Sequence, residues 1–425
     1  MFKKYLFGFL LTISLGFVAH SQDTAYVRKQ ITELSAKKYL GRGYVGKGVN
    51  KAANYLAGEM KSIGLSHFGD TYFQQLSYPV NTFQGKVDVR VDGVELKNGV
   101  DYFIGPATPA TNREYEVVCF DSVVLSDTLR FLTKASVMNL QDKLVVIDFS
   151  YLGASEVRWF YLYLMKFNYI KAAGYIELND GDLAWAVRTF QQDFPSLKAK
   201  KSSWPADAKK VSIKVKSKYI EEYKTENVIG YVPGTGDEYV VICAHYDHLG
   251  AMGKGVFVPG ANDNGSGTAA VLDMARYYKK NPCKYTMVFM CFTGEEAGLL
   301  GSTWFTEHPL FPLEKIKFVI DLDMIGTGEK GAAIVNGDIP EYQKIKETFQ
   351  AINLQKEYFS DLKIRGESKN SDHYPFHAKG VKAVFFYTMG ANTYYHSPSD
   401  VVGNLSLTGY IPLFGLITDF VATYE

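Results

Sequence analysis

Apolar and polar positions change rhythm along the chain, and each rhythm predicts a different kind of element. Lys51 to Ile63 places Ala52, Leu56, Met60 and Ile63 on one face at helical spacing and stops at Gly64, which predicts one amphipathic helix with a marked end. From about Asn81 to Ser217 the pattern shortens to alternating runs such as KVDVRV (86–91), EYEVVCF (114–120) and KLVVIDF (143–149), separated by Gly, Asp and Asn. That texture predicts a β-rich module. From Asn227 the rhythm becomes strand followed by helix: VIGYV, YVVICA, a helix from about Gly265 to Lys280, YTMVFMCF, a helix from about Ala297, then KFVIDLDM. Two more strands, AAIVN (332–336) and KAVFFYT (382–388), precede a helical apolar pattern from Leu405. Apolar runs of this length, each followed by a helix, predict an α/β fold with a mostly parallel mixed sheet sandwiched by helices and the β-rich module inserted in it.

The first residues form a separate pattern: Lys3-Lys4, an apolar run from Tyr5 to Val18, then Ala19-His20-Ser21. This is the order of a signal peptide, here residues 1–21, and the run is shorter than the roughly 20 residues that cross a bilayer. The expectation is export to the periplasm or medium, with no stable membrane insertion after cleavage. Net charge is +1 and no basic block is interleaved with aromatics, so nucleic acid is not an expected partner. Cys119, Cys243, Cys283 and Cys291 lack CxxC spacing, which argues for buried free thiols and against a thiolate metal site.

The candidate chemistry lies where the strands end. His245 and Asp247 follow YVVICA, Glu295 and Glu296 follow YTMVFMCF, and Asp323 ends KFVIDLDM. In open α/β sheets ligands bind at that carboxyl edge. Asp263 sits in the glycine-rich turn PGANDNGSG (259–267) that runs into the next helix, and His396 follows the last strand. So many carboxylates in one crevice repel each other unless cations neutralise them. Oxygen and imidazole donors without thiolate suit Zn²⁺, with Mn²⁺ or Co²⁺ also admissible. Asp247, two residues beyond His245, is placed to take that ring's other N–H. Adjacent side chains in an extended segment point apart, so one of Glu295 and Glu296 is expected to ligate while its neighbour moves protons.

The motifs AHYDHLG (244–250), PGANDNGSG (259–267), TGEEAGLLGS (293–302), DLDMIG (321–326) and YHSPSD (395–400) together resemble the co-catalytic di-zinc aminopeptidase family of metallopeptidase clan MH. The likeness is strong over 227–425, includes LGRG (40–43) with the 51–63 helix, and extends weakly to a protease-associated domain over 81–217. It implies an N-terminal part of a catalytic domain at 22–80, an insert at 81–217 and a catalytic core at 218–425. It further implies two Zn²⁺ per chain, one held by His245, Asp263 and Asp323 and the other by Asp263, Glu296 and His396. Glu295 would then be the general base, Asp247 would orient His245, and the Asp263–Asn264 peptide bond would be cis. Tyr395, Tyr394 and Tyr374 are candidates for stabilising an oxyanion, whereas Asp372, His373 and His248 read as structural.

The expected function is therefore that of an exported zinc aminopeptidase acting on peptides. A glutaminyl-peptide cyclotransferase shares the expected fold and most ligands, and a non-catalytic binding relative is the other alternative. Retention of every di-zinc position favours the peptidase.

Overall fold

The computed structural model describes residues 24–152 and 156–424, so the signal peptide expected over 1–21 lies outside the described residues. Two eight-stranded sheets organise the chain. The first has the spatial order Phe73–Phe83, Ser217–Val232, Thr286–Phe292, Tyr239–His245, Ile316–Leu322, Ala383–Thr388, Ala332–Val335, Leu362–Ile364. Its central block, from Thr286–Phe292 to Ala383–Thr388, is parallel, and antiparallel neighbours flank the block on either side.

Both faces of that block are buried, and successive residues serve opposite faces. Val240, Ile242 and Ala244 join an apolar cluster with side chains of the helices Gly48–Ile63, Gly267–Lys280 and Tyr410–Thr423. Val241 and Cys243 join another with Phe305 of Leu300–Glu307 and Phe376 of His373–Ala378. Each fully buried side chain of this size contributes roughly 1.5–3 kcal/mol. The expected helix ends as its sequence predicts: Gly64 adopts φ 82 and donates to the carbonyls of Lys61 and Met60. Among the described residues no helix is long and apolar enough to cross a membrane.

The second sheet draws its strands from between Asp88 and Val215. The chain leaves the first sheet at Phe83 and returns at Ser217, and these residues are partners in the antiparallel ladder of Phe73–Phe83 with Ser217–Val232. This part of the chain is less purely β than its texture predicts. Helices Thr128–Ser136 and Glu156–Phe167 bury Phe131, Ala135, Tyr161 and Leu164 in one cluster with Val145, Ile147 and Tyr175 of the sheet. Asp127 caps the first, its carboxylate accepting from the Arg130 N–H at 3.0 Å. The Asp cap and the Phe131/Ala135 pair are the helical signals that the alternation obscures. The four cysteines are free, and Cys119 is exposed, contrary to the expectation of burial.

Candidate metal centre

His245 is the last residue of its strand, Asp323 directly follows Leu322, Glu295 and Glu296 follow Thr286–Phe292, and His396 follows Ala383–Thr388. These strands are parallel, so their carboxyl ends share one edge. Asp263 reaches that edge from Ala261–Ser266, the turn that opens Gly267–Lys280. The Asp263–Asn264 peptide bond is cis.

The turn is fixed from every side. Asn264 donates from Nδ2 to the Leu322 carbonyl at 2.8 Å and accepts at Oδ1 from the Gly267 N–H at 2.8 Å. Asp400 accepts the N–H groups of Asn262 and Asp263, each at 3.0 Å. Gly267 lets the helix meet the end of the Asp323 strand, since a Cβ there would stand 2.1 Å from the Leu322 carbonyl oxygen. Beneath lies Arg42, fully buried, whose guanidinium donates to five carbonyls: Tyr246, Leu34, Pro259, Gly260 and Asp263, at 2.7 to 3.2 Å. Burial lowers its pKa to about 10, against the pull of Asp263 and Asp400, so it stays cationic at neutral pH.

At the edge two donor sets share Asp263: His245 with Asp263 and Asp323, and His248 with Asp263 and Glu296. His245 Nε2 stands 3.4 Å from Asp263 Oδ1 and 3.4 Å from Asp323 Oδ1. His396 Nε2 stands 3.2 Å from Asp263 Oδ2 and 3.1 Å from Glu296 Oε2. Donors about 2.1 Å from a tetrahedral ion lie roughly 3.4 Å from one another, so this spacing fits zinc. His245 Nε2 and Asp323 Oδ1 are buried with no hydrogen-bond partner in the protein, as atoms reserved for a cation would be.

The protons divide the cluster. Burial opposes protonation of His396, but Glu296 and Asp263 outweigh it and raise the imidazole to about 11. Glu296 is held well below the usual carboxylate range, because His396 and His248 outweigh its burial. Glu295 goes the other way: burial pushes it well above that range against His245, with Glu296 and Asp323 adding to the rise. The two neighbouring carboxylates thus differ in character. They lie in a turn rather than in an extended strand, since the Glu295 carbonyl accepts the N–H groups of Gly298 and Leu299 and residues 293–299 form no strand.

Other expected residues fall as follows. Asp247 meets His245 through its backbone: its carbonyl lies 3.1 Å from Nδ1, while its carboxylate is 3.8 Å away. That carboxylate instead accepts the Glu295 N–H at 3.1 Å, and burial raises its pKa to about 7. Tyr395 stacks on His396 with ring centroids 3.7 Å apart, and its hydroxyl feels Asp263, Glu296, Asp323 and Glu295. Tyr394 is partly exposed, and Tyr374 faces His377 and Lys369. Asp372 accepts from Ser302, and its neighbour His373 donates its N–H to Asp321. His248 is the residue that sequence reasoning set aside: it is buried, with Nδ1 2.6 Å from Glu296 Oε1. Its position three residues beyond His245 in AHYDHLG was the available signal.

Residues 227–421 match the profile of Peptidase family M28. Aminopeptidase YwaD of Bacillus subtilis is 30% identical over 241 residues, covering 54% of this chain and 51% of its own length. A probable leucine aminopeptidase of Arthroderma otae is 29% identical over 202 residues, 44% of this chain and 54% of that protein. The chain thus spans about half the length of the curated relatives it matches. Over 94% of the chain the fold is that of a zinc aminopeptidase from Bacillus subtilis, with a TM-score of 0.73, 22% identity and 95% of that structure covered. An aminopeptidase from Aneurinibacillus sp. strain AM-1 gives a TM-score of 0.66 at 20% identity, with 94% of each chain covered. Residues 227–421, which carry all of the candidate ligands, are thus similar to peptidase family M28.

Proposed function

We propose that this chain is a zinc aminopeptidase that removes N-terminal residues from peptides, with one ion held by His245, Asp263 and Asp323 and a second by Asp263, Glu296 and His396. The observation that carries the reading is the gathering of donors on either side of Asp263, His245 and Asp323 on one and His396 and Glu296 on the other, with the raised carboxyl of Glu295 beside them. Two zinc ions would supply Lewis acidity for the scissile carbonyl and the attacking water. Everything else falls to the chain's own groups. Glu295 takes the proton of the attacking water at its carboxylate and returns it to the leaving amine, and its N–H bond to Asp247 Oδ1 fixes the base of that side chain. Tyr395, stacked on His396, is the tyrosine best placed to donate to a developing oxyanion.

Export and the division into 1–21, 22–80, 81–217 and 218–425 complete the proposal, the 81–217 insert being protease-associated-like. A mature N-terminus elsewhere than Gln22, read by N-terminal sequencing, would count against the leader.

The test of the activity is hydrolysis of aminoacyl-nitroanilides by the purified chain beside incubation with Gln-peptides. Nitroanilide hydrolysis that a chelator abolishes supports the reading. Ring closure of Gln-peptides without hydrolysis, or a metal-free protein inert in both assays, overturns it.

A further inference from the structure

His396 is held by a segment of the second sheet's module. Its Nδ1 lies 2.9 Å from the carbonyl oxygen of Trp185, a residue 211 positions away, and its own carbonyl accepts the Trp185 N–H at 3.1 Å. Trp185 lies in the stretch joining two strands of that sheet, Gly174–Asn179 and Ser196–Lys200. The segment is anchored to both sheets. The Trp185 indole Nε1–H donates to the Ile104 carbonyl at 2.9 Å, its ring packs 5.9 Å from that of Phe83, and the Arg188 carbonyl accepts the Asn81 N–H at 3.0 Å. Leu183, Trp185 and Val187 are all buried.

A carbonyl oxygen can only accept, so the contact requires the hydrogen on Nδ1 of His396. In the neutral form that a metal ligand must take, the ring then has its lone pair on Nε2, the atom that faces Asp263 and Glu296. His245 is treated differently, because the carbonyl that meets its Nδ1 belongs to Asp247 in its own loop. One candidate ligand is thus oriented locally and the other from a separate sheet.

Resting on the metal-centre reading above, we infer that the inserted module is part of that centre: Trp185 is a positioning residue whose backbone carbonyl sets the tautomer and aim of His396. Disturbing it weakens the ion held by Asp263, Glu296 and His396 and spares the ion held by His245, Asp263 and Asp323.

The experiment is calorimetric titration of Zn²⁺ into the metal-stripped full chain, wild type against Trp185→Ala and Trp185→Phe. The phenylalanine keeps the ring packing but loses the indole bond to Ile104. For Trp185→Ala one ion should bind as in the wild type and the other about 10- to 100-fold more weakly, the usual effect of losing a ligand's outer partner. Trp185→Phe should lie between. In the zinc-loaded protein with ¹⁵N-labelled histidine, the Nδ1–H resonance of His396 should exchange with solvent faster in the variants. Two ions bound by Trp185→Ala with wild-type affinity overturn the inference, and so does equal weakening of both, which a merely structural role would give. Should Trp185→Ala fail to fold, Trp185→Phe decides: unchanged affinities and unchanged Nδ1–H exchange overturn it. A wild-type chain that takes up no zinc overturns the metal-centre reading itself, and the inference with it.

Discussion

His248 Nδ1 lies 2.6 Å from Glu296 Oε1, so an imidazole three residues past one candidate ligand holds the carboxylate of another. The other oxygen of Glu296 faces His396. Glu296 is therefore oriented by two imidazoles. Replacing His248 with alanine removes one of them and should weaken zinc binding about 10-fold or more, measured by competition with a chromophoric chelator. Unchanged affinity would reduce His248 to a packing residue.

Glu295→Gln keeps the shape and the backbone bond to Asp247 but cannot accept a proton. Zinc content should stay at the wild-type level while kcat falls by about 10²- to 10⁴-fold, the range for loss of a general base. Loss of zinc in this variant would place Glu295 among the ligands instead.

Arg42→Met would leave five buried carbonyls without their shared donor. Several unmet acceptors at about 1–3 kcal/mol each imply a loss of at least about 3 kcal/mol, read from urea unfolding. Arg42→Lys should be intermediate, because one ammonium cannot span the same fork. A variant as stable as the wild type would show that the loops hold themselves.

Removing metal should lower the melting temperature, since Asp263, Glu295, Glu296 and Asp323 stay gathered with only imidazoles and Arg42 to balance them. Zinc at 100 times its dissociation constant stabilises the folded state by about 2.7 kcal/mol. Added Zn²⁺ should restore the transition and Mg²⁺ should not. A melting temperature indifferent to both would argue against a buried cation site.

Much of this was legible because local rules coincide with the fold. YVVICA, YTMVFMCF, KFVIDLDM and KAVFFYT are mostly apolar because a parallel block is buried on both faces, and each gave its strand. The helices of 128–136 and 156–167 were harder to see, since they pack one face of a sheet whose strands dominate the local alternation.

The sequence by itself determined which residues stand at strand ends, because that depends only on the order of apolar runs and the residues that close them. It also set Glu295 beside Glu296, although the turn closed on the Glu295 carbonyl, not strand alternation, gives the two carboxyls different neighbours. Tertiary structure alone decided the rest. That His248 meets Glu296 and that Trp185 meets His396 are contacts between loops, and that Asp247 meets His245 through its carbonyl is decided by the path of a single loop. The first follows from how neighbouring strands of one sheet end and the second from how the two sheets' loops meet, which no local pattern of residues encodes.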